Sequence, residues 1–277
     1  GPAIDNDNIE RILGFVDGNP SRLRRRILKS NGIKTRHYSI NDKQQTVFLN
    51  EQLAFEAGQK CLDSSHIDSS EIGMLSVAST QGDLLLPGIA SMVQARLKLP
   101  SIEIHTTHGI CSSSMMALKA AANSIALNQH ENALVIAAEN ASRLLKKTRY
   151  EAVRKDGKAV IDFNSEFLRW MLSDGAGALM LSNKPAPKGI SLKIDWIKSF
   201  SHADSYPVCM SVGWNGDKST FKTWQDYDTY AEAEADGAIQ IRQDVRLLEH
   251  IVKLGADGFL RLLEEDNVQV DKIDHFL

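Results

Sequence analysis

Apolar residues in this chain fall into two kinds of run. Some runs are short and nearly unbroken. Ile72-Gly73-Met74-Leu75-Ser76-Val77-Ala78-Ser79 and Ala133-Leu134-Val135-Ile136-Ala137-Ala138-Glu139 show little polar alternation, which predicts strands covered on both faces. Strand character also marks residues 102–107, the run from Gly177 to Leu181, residues 190–197, and the start of 271–277. Other runs recur at helical spacing. Residues 4–14 predict a short helix with Asp5 or Asn6 as cap and Ile9, Ile12 and Leu13 on its apolar side. Residues 21–29 predict another, with Leu23, Ile27 and Leu28 inside and Asn31-Gly32-Ile33 as a left-handed cap. Further helices are predicted at 53–62 and at 89–97, the latter with Pro87 in its entry. After Cys111, Met115, Leu118, Ala122 and Ile125 share one helical face and Ala117, Ala121 and Ser124 the other, predicting a helix buried nearly all round. A long helix is predicted from about Ile239, with Val245, Leu248, Val252, Gly255, Phe259 and Leu262 as a buried stripe.

Strands thus alternate with helices through the first half, the pattern of an α/β fold with a mostly parallel sheet. Residues 143–169 are polar and charged and read as an excursion from it. The turn at 185–189 is the best internal boundary, giving units 1–184 and 185–277. Residues 202–236 read as irregular. Leu84-Leu85-Leu86 is an apolar loop whose exposure would be costly, so a cover such as another subunit is expected.

Composition changes this picture little. The 277 residues are 43% hydrophobic, enough for one large core or two similar ones. A charged fraction of 24% and a net charge of −3 give no overall case for nucleic acid or membrane binding. No apolar run reaches the roughly 18 residues of a membrane span, and no charged-then-apolar leader opens the chain. Cys61, Cys111 and Cys209 have neither paired nor metal-ligand spacing, and their scatter fits a reducing cytoplasm. No metal or cofactor is expected. Gly175-Ala176-Gly177 is not a dinucleotide fingerprint, because a strand pattern follows it rather than a helix.

The chemistry concentrates at one point. Residues 102–118 read as strand, tight glycine turn at Gly109, Cys111, then an apolar helix. A cysteine there faces unpaired helix N–H groups and the positive end of the dipole, a setting that favours the thiolate nucleophile. The competing reading is a buried cysteine packing as a small hydrophobe. A second cluster, Arg22, Arg25, Arg26 and Lys29 with Lys34, Arg36 and His37 beyond it, is either a solvated face or a landing site for an anionic partner.

Four landmarks in order and spacing resemble the ketosynthase III group (β-ketoacyl-acyl-carrier-protein synthase III-like enzymes) of the thiolase superfamily. They are Asn31-Gly32-Ile33-Lys34-Thr35-Arg36; Ala78-Ser79-Thr80 followed by Leu86-Pro87-Gly88-Ile89-Ala90; Cys111 with Ala137-Ala138-Glu139-Asn140-Ala141-Ser142-Arg143; and Ser173-Asp174-Gly175-Ala176-Gly177-Ala178. The resemblance spans nearly the whole chain, and it favours the nucleophile reading of Cys111. It implies a thiolase-like fold of two similar βαβαβαββ halves in five layers, usually a cytoplasmic homodimer, with the second half incomplete here. It implies an acyltransferase in which Cys111 takes an acyl group from a thioester and a malonyl-type thioester then condenses with it, as in fatty acid or polyketide biosynthesis. The family's catalytic His and Asn fall after Leu277, so the sequence is expected to be a fragment. Leu86 matches the position that closes a partner's acyl pocket, the competing reading being monomer core, and Arg36 is a candidate substrate contact. His105 and His108 are expected to be structural rather than stand-ins for the missing groups.

One departure bears on the donor. Members using coenzyme A thioesters usually carry a Trp just before the Gly-Ile turn, whereas Arg26-Ile27-Leu28-Lys29-Ser30 has no aromatic. The basic cluster suits an acidic acyl carrier protein instead. Two other readings compete. A cysteine hydrolase would need a nucleophile elbow, but Gly109-Ile110-Cys111-Ser112-Ser113 lacks its final glycine. A non-catalytic ketosynthase partner fits the missing His and Asn, but not the retained Cys111.

Overall fold

The computed structural model describes residues 1–275. The chain opens with β1 (Ile4–Asp5), α1 (Ile9–Leu13), α2 (Arg24–Asn31) and β2 (Thr35–Arg36). The first helix starts later than its predicted bound because Asp5 Oδ1 accepts the Asp7 and Asn8 N–H groups at 3.1 and 3.0 Å. That local turn competes with helix, and Ile4 and Asp5 pair antiparallel with Arg36 and Thr35.

The main sheet follows: α3 (Asn50–Ser64), β3 (Met74–Ala78), α4 (Ile89–Leu97), β4 (Glu103–Thr107), α5 (Ser113–Ala126) and β5 (Asn132–Glu139). After the excursion of α6 (Lys147–Glu151), β6 (Arg154–Lys155), β7 (Lys158–Ala159) and α7 (Phe163–Met171), β8 (Gly175–Ser182) completes it. The strand order is β4-β3-β5-β8, parallel except for antiparallel β8. The period of two along each central strand sorts side chains between layers. Leu75, Val77, Leu134, Ile136 and Ala138 pack with residues of α3 and α4, while Met74, Ala78, Ala133 and Val135 pack with Ala117 and Ala121 of α5. Helix α3 rides close because Gly58 has no side chain; a Cβ there would lie 2.7 Å from Ile136 Cδ1.

The helix α3 begins three residues before its predicted start. The Asp83 carboxylate, from a loop far along the chain, accepts the N–H groups of Asn50 and Glu51 at 3.0 and 2.8 Å. The face of α5 that meets the sheet is Ser113, Ala117, Ala121 and Ser124, while Met115 and Met116 are exposed. Small side chains allow close approach to the sheet. The prediction of a helix buried nearly all round is therefore corrected to one buried on its small-residue face.

A second core lies beneath the N-terminal helices, where Ile9, Leu13, Ile27, Tyr38, Leu168, Trp170 and Ile241 pack together. The later chain contributes β9 (Met210–Ser211), α8 (Tyr230–Ala235), β10 (Arg242–Gln243) and α9 (Leu248–Glu265). Several expectations are corrected here. Residues 190–197 form no strand, and Ile190 and Leu192 are 93% and 89% exposed. The last helix starts at Leu248 because Asp244 accepts the Arg246 N–H and turns the chain first. Its stripe is only partly buried: Val252 and Gly255 are exposed, Val245, Leu248 and Phe259 half-buried, and Leu262 buried with its neighbour Leu263. Of the expected strand at 271–277, Asp271 and Lys272 lie in a 3₁₀ turn, residues 273–275 show no strand, and 276–277 lie outside the described residues. Among the described residues, no helix is long and apolar enough to cross a membrane.

Candidate active site

Cys111 sits where β4 hands over to α5, on a 3₁₀ turn spanning Ile110–Ser112. Thr107 Oγ1 donates to the Ser113 carbonyl at 3.0 Å and ties the strand end to the helix start. The expected glycine turn works differently from its prediction. Gly109 is extended at φ −167°, and the left-handed residue is Ile110 at φ 51°. A β-branched side chain disfavours that conformation, which costs on the order of 1–3 kcal/mol and is typical of functional sites. Gly109 is needed for a different reason: a Cβ there would meet Met116 Sδ at 2.6 Å.

The three cysteines occupy different settings. Cys111 is exposed, and Cys61 and Cys209 are half-buried. Burial pushes the thiols of Cys61 and Cys209 up. The buried-hydrophobe reading of Cys111 therefore fails on exposure. Its thiol opens on a cavity of about 260 Å³ lined by Ile110, Cys111, Ser113, Ser114, Ala137, Ala138, Glu139, Gly175, Ala176 and Gly177. The wall from β8 is held by Asp174. That buried carboxylate accepts the N–H groups of Ser39 and Ser142 at 2.6 and 2.8 Å, and the Ser142 hydroxyl at 2.5 Å.

Glu139 was absent from the candidates read from sequence. Thr80 N–H and Oγ1 both donate to its Oε1 at 2.7 Å. Burial pushes its carboxyl up, partly opposed by those bonds and by the nearby His108. The available signal was an acidic residue closing an otherwise apolar strand. Of the two histidines read as structural, His105 pairs with Glu103 at 2.8 Å, and His130 takes that carboxylate's other oxygen at 2.7 Å. His108 instead lies within electrostatic reach of Glu139.

The remaining candidates lie apart from this cavity. Arg36 is 1% exposed and donates to Asn6 Oδ1 at 2.9 Å and to the Ile33 and Trp170 carbonyls. It braces the turn after α2, so a substrate contact by Arg36 is withdrawn. Arg22, Arg25, Arg26 and Lys29 are all exposed. Arg25 and Lys29 line an open groove of about 470 Å³ with Asn6, Asp7, Arg24, Leu28, Gly32 and Lys34; Arg22 and Arg26 lie outside it. Arg24 is engaged by Glu10 at 3.2 Å. Leu86 is 85% exposed at the tip of its loop. Among the described residues no cluster of side chains could hold a metal ion.

A mixed, mainly parallel sheet with a cysteine at a strand-to-helix junction is an α/β arrangement, and comparison with solved structures shows its fold to be that of the condensing enzymes it resembles. A tetronic acid condensing enzyme matches with a TM-score of 0.74 at 22% identity, covering 99% of this chain and 74% of that one. The 3-oxoacyl-(acyl carrier protein) synthase III of Pseudomonas aeruginosa matches with a TM-score of 0.62 at 18% identity, covering 99% and 70%. Sequence narrows the class. The family model for 3-oxoacyl-[acyl-carrier-protein] synthase III matches residues 107–199. The β-ketoacyl-[acyl-carrier-protein] synthase III of Neisseria meningitidis serogroup B is 30% identical over 167 residues, 59% of this chain and 45% of that protein. The Ehrlichia canis protein of the same name is 32% identical over 251 residues, 91% of this chain and 66% of that protein. The chain is thus a homologue of the ketosynthase III enzymes, and it spans about half the length of the first relatives it matches.

Proposed function

We propose that this chain is the part of an acyltransferase that carries its nucleophile. Cys111 attacks an acyl thioester to form an acyl-enzyme, and a malonyl-type thioester on acyl carrier protein then condenses with it by loss of CO₂. The observation that carries this reading is an exposed thiol at a strand-to-helix junction, opening on a cavity walled by small residues. Oxyanion stabilisation by the Cys111 N–H and the dipole of α5 fits that position. Residues 1–184 act as the nucleophile-bearing half and 185–277 as the start of the second half.

The exposed basic residues Arg22, Arg25, Arg26 and Lys29 support an acyl carrier protein as donor or acceptor. Exposed Leu84, Leu85 and Leu86 support a homodimer in which Leu86 reaches the partner's cavity. A cytoplasmic location accords with free cysteines. Intact-protein mass spectrometry of the full-length protein after exposure to acyl donors tests the central step. The expected result is one acyl adduct per chain, abolished in Cys111→Ala. An adduct that survives this substitution rejects the reading. Run with coenzyme A and carrier-protein donors side by side, the same assay is expected to favour the carrier protein; a strong coenzyme A preference rejects that part.

A further inference from the structure

Cys111 shares its cavity with a single acid. Apart from Glu139, the walls are backbone, small side chains, serine hydroxyls and Ile110. Glu139 ends β5, and both Thr80 bonds converge on the same oxygen, Oε1. Those bonds hold the carboxyl group at the cavity wall, and Oε2 is the oxygen that Thr80 does not engage. The charged and titratable groups facing Glu139 are few. Besides Cys111, they are His108 from the loop after β4 and Asp174 before β8. Asp174 is engaged by Ser39 and Ser142. An acyl transfer to a thiol must move one proton off sulfur, and Glu139 is the carboxylate placed at the same opening.

We infer that Glu139 Oε2 takes the Cys111 Sγ proton as the sulfur attacks the donor thioester, and returns it to the departing thiol. The inference rests on the acyl-enzyme reading above. The S–H bond breaks and an O–H bond forms on Glu139. The new Sγ–acyl bond forms as the donor's own carbon–sulfur bond breaks, and the departing thiolate takes the proton from Oε2. Nothing is oxidised or reduced, and the carboxylate is regenerated. Thr80 is the positioning residue, since it holds the carboxyl without touching the thiol. Burial raises the acid's proton affinity, which suits a group that must hold a proton briefly at neutral pH.

The test is the single-turnover rate of Cys111 acylation by octanoyl-N-acetylcysteamine in the full-length protein, followed by intact mass against pH. In the unsubstituted protein the rate is expected to rise along an acid limb lying above the ordinary carboxylate value of about 4.3. Glu139→Gln keeps an oxygen for Thr80 and is expected to slow acylation by about 100-fold or more. Its profile should lose that acid limb. Glu139→Asp should recover part of the rate. A Glu139→Gln protein that acylates within about threefold of the parent, with the same pH profile, overturns the inference. If that variant does not fold, the parent profile decides, and a profile without that acid limb overturns it. Failure of the parent to form any Cys111 adduct would instead remove the acyl-enzyme reading itself.

Discussion

The main sheet and the stretch after residue 185 treat the same kinds of side chain in opposite ways. In β3 and β5, Leu75, Val77, Leu134 and Ile136 are fully buried, and the strands on either side take their backbone hydrogen bonds. In 185–275, Ile190, Leu192 and Val252 stand 93%, 89% and 73% exposed, and the strand pairing is the two-residue ladder of β9 with β10. Apolar sequence becomes structure only where a second layer covers it. Sheet residues are covered by α3 and α4 on one face and α5 on the other. The later region is anchored at points: Ile241 in the N-terminal core, Arg149 to Glu234 at 2.6 Å, and Gln240 Nε2 donating to the Arg149 carbonyl at 3.1 Å.

The sharpest way to break this contrast is amide hydrogen exchange. Amides of β3 and β5 should exchange at least about 1,000-fold more slowly than those of 190–197, because core strands open only with most of the global free energy. Comparable protection in 190–197 would mean that the region is covered in solution. Substitution gives the next largest effect. Leu134→Ala should lower stability by about 2–5 kcal/mol in denaturant titration, and Ile190→Ala by no more than about 0.5 kcal/mol. A large cost at Ile190 would show that it is buried by something beyond the described residues. The smallest effect belongs to the edge of the sheet. The bonds from His130 and then His105 hold the Glu103 carboxyl below its usual range. A depressed folded value stabilises above the unfolded carboxylate pKa, and the contribution is lost as pH falls through the folded value. Glu103 is 43% exposed, so Glu103→Gln should change stability near neutral pH by only a few tenths of a kcal/mol, an effect that fades in acid. Loss above 1 kcal/mol would mark β4 as more enclosed than its accessibility states.

The sheet was legible from sequence because its signals are local and strong. Unbroken apolar runs marked β3 and β5, and the predicted bounds of α4 match its structure at Ile89–Leu97. The position of Cys111 at a helix entrance was also legible. What escaped depended on distant or opposed choices. Asp83 extends α3 from thirty residues downstream. In α5 the hydrophobicity pattern favoured the Met115 side, while close packing favoured the alanines. Arg36 reads as a surface cation in sequence, yet three hydrogen-bond acceptors draw it inside. Glu139 and Ile110 were hidden for a related reason. One is defined by Thr80 across the sheet, and the other by a backbone angle that no residue type announces.

The empty space at Gly58 has a reach beyond its own helix. It sets the thickness of the layer above β5, and β5 terminates at the acid beside Cys111. A methyl group added there would have to displace Ile136, three residues from that acid. The strand that supplies one wall of the Cys111 cavity is therefore backed, on its other face, by a close approach that only a missing side chain allows.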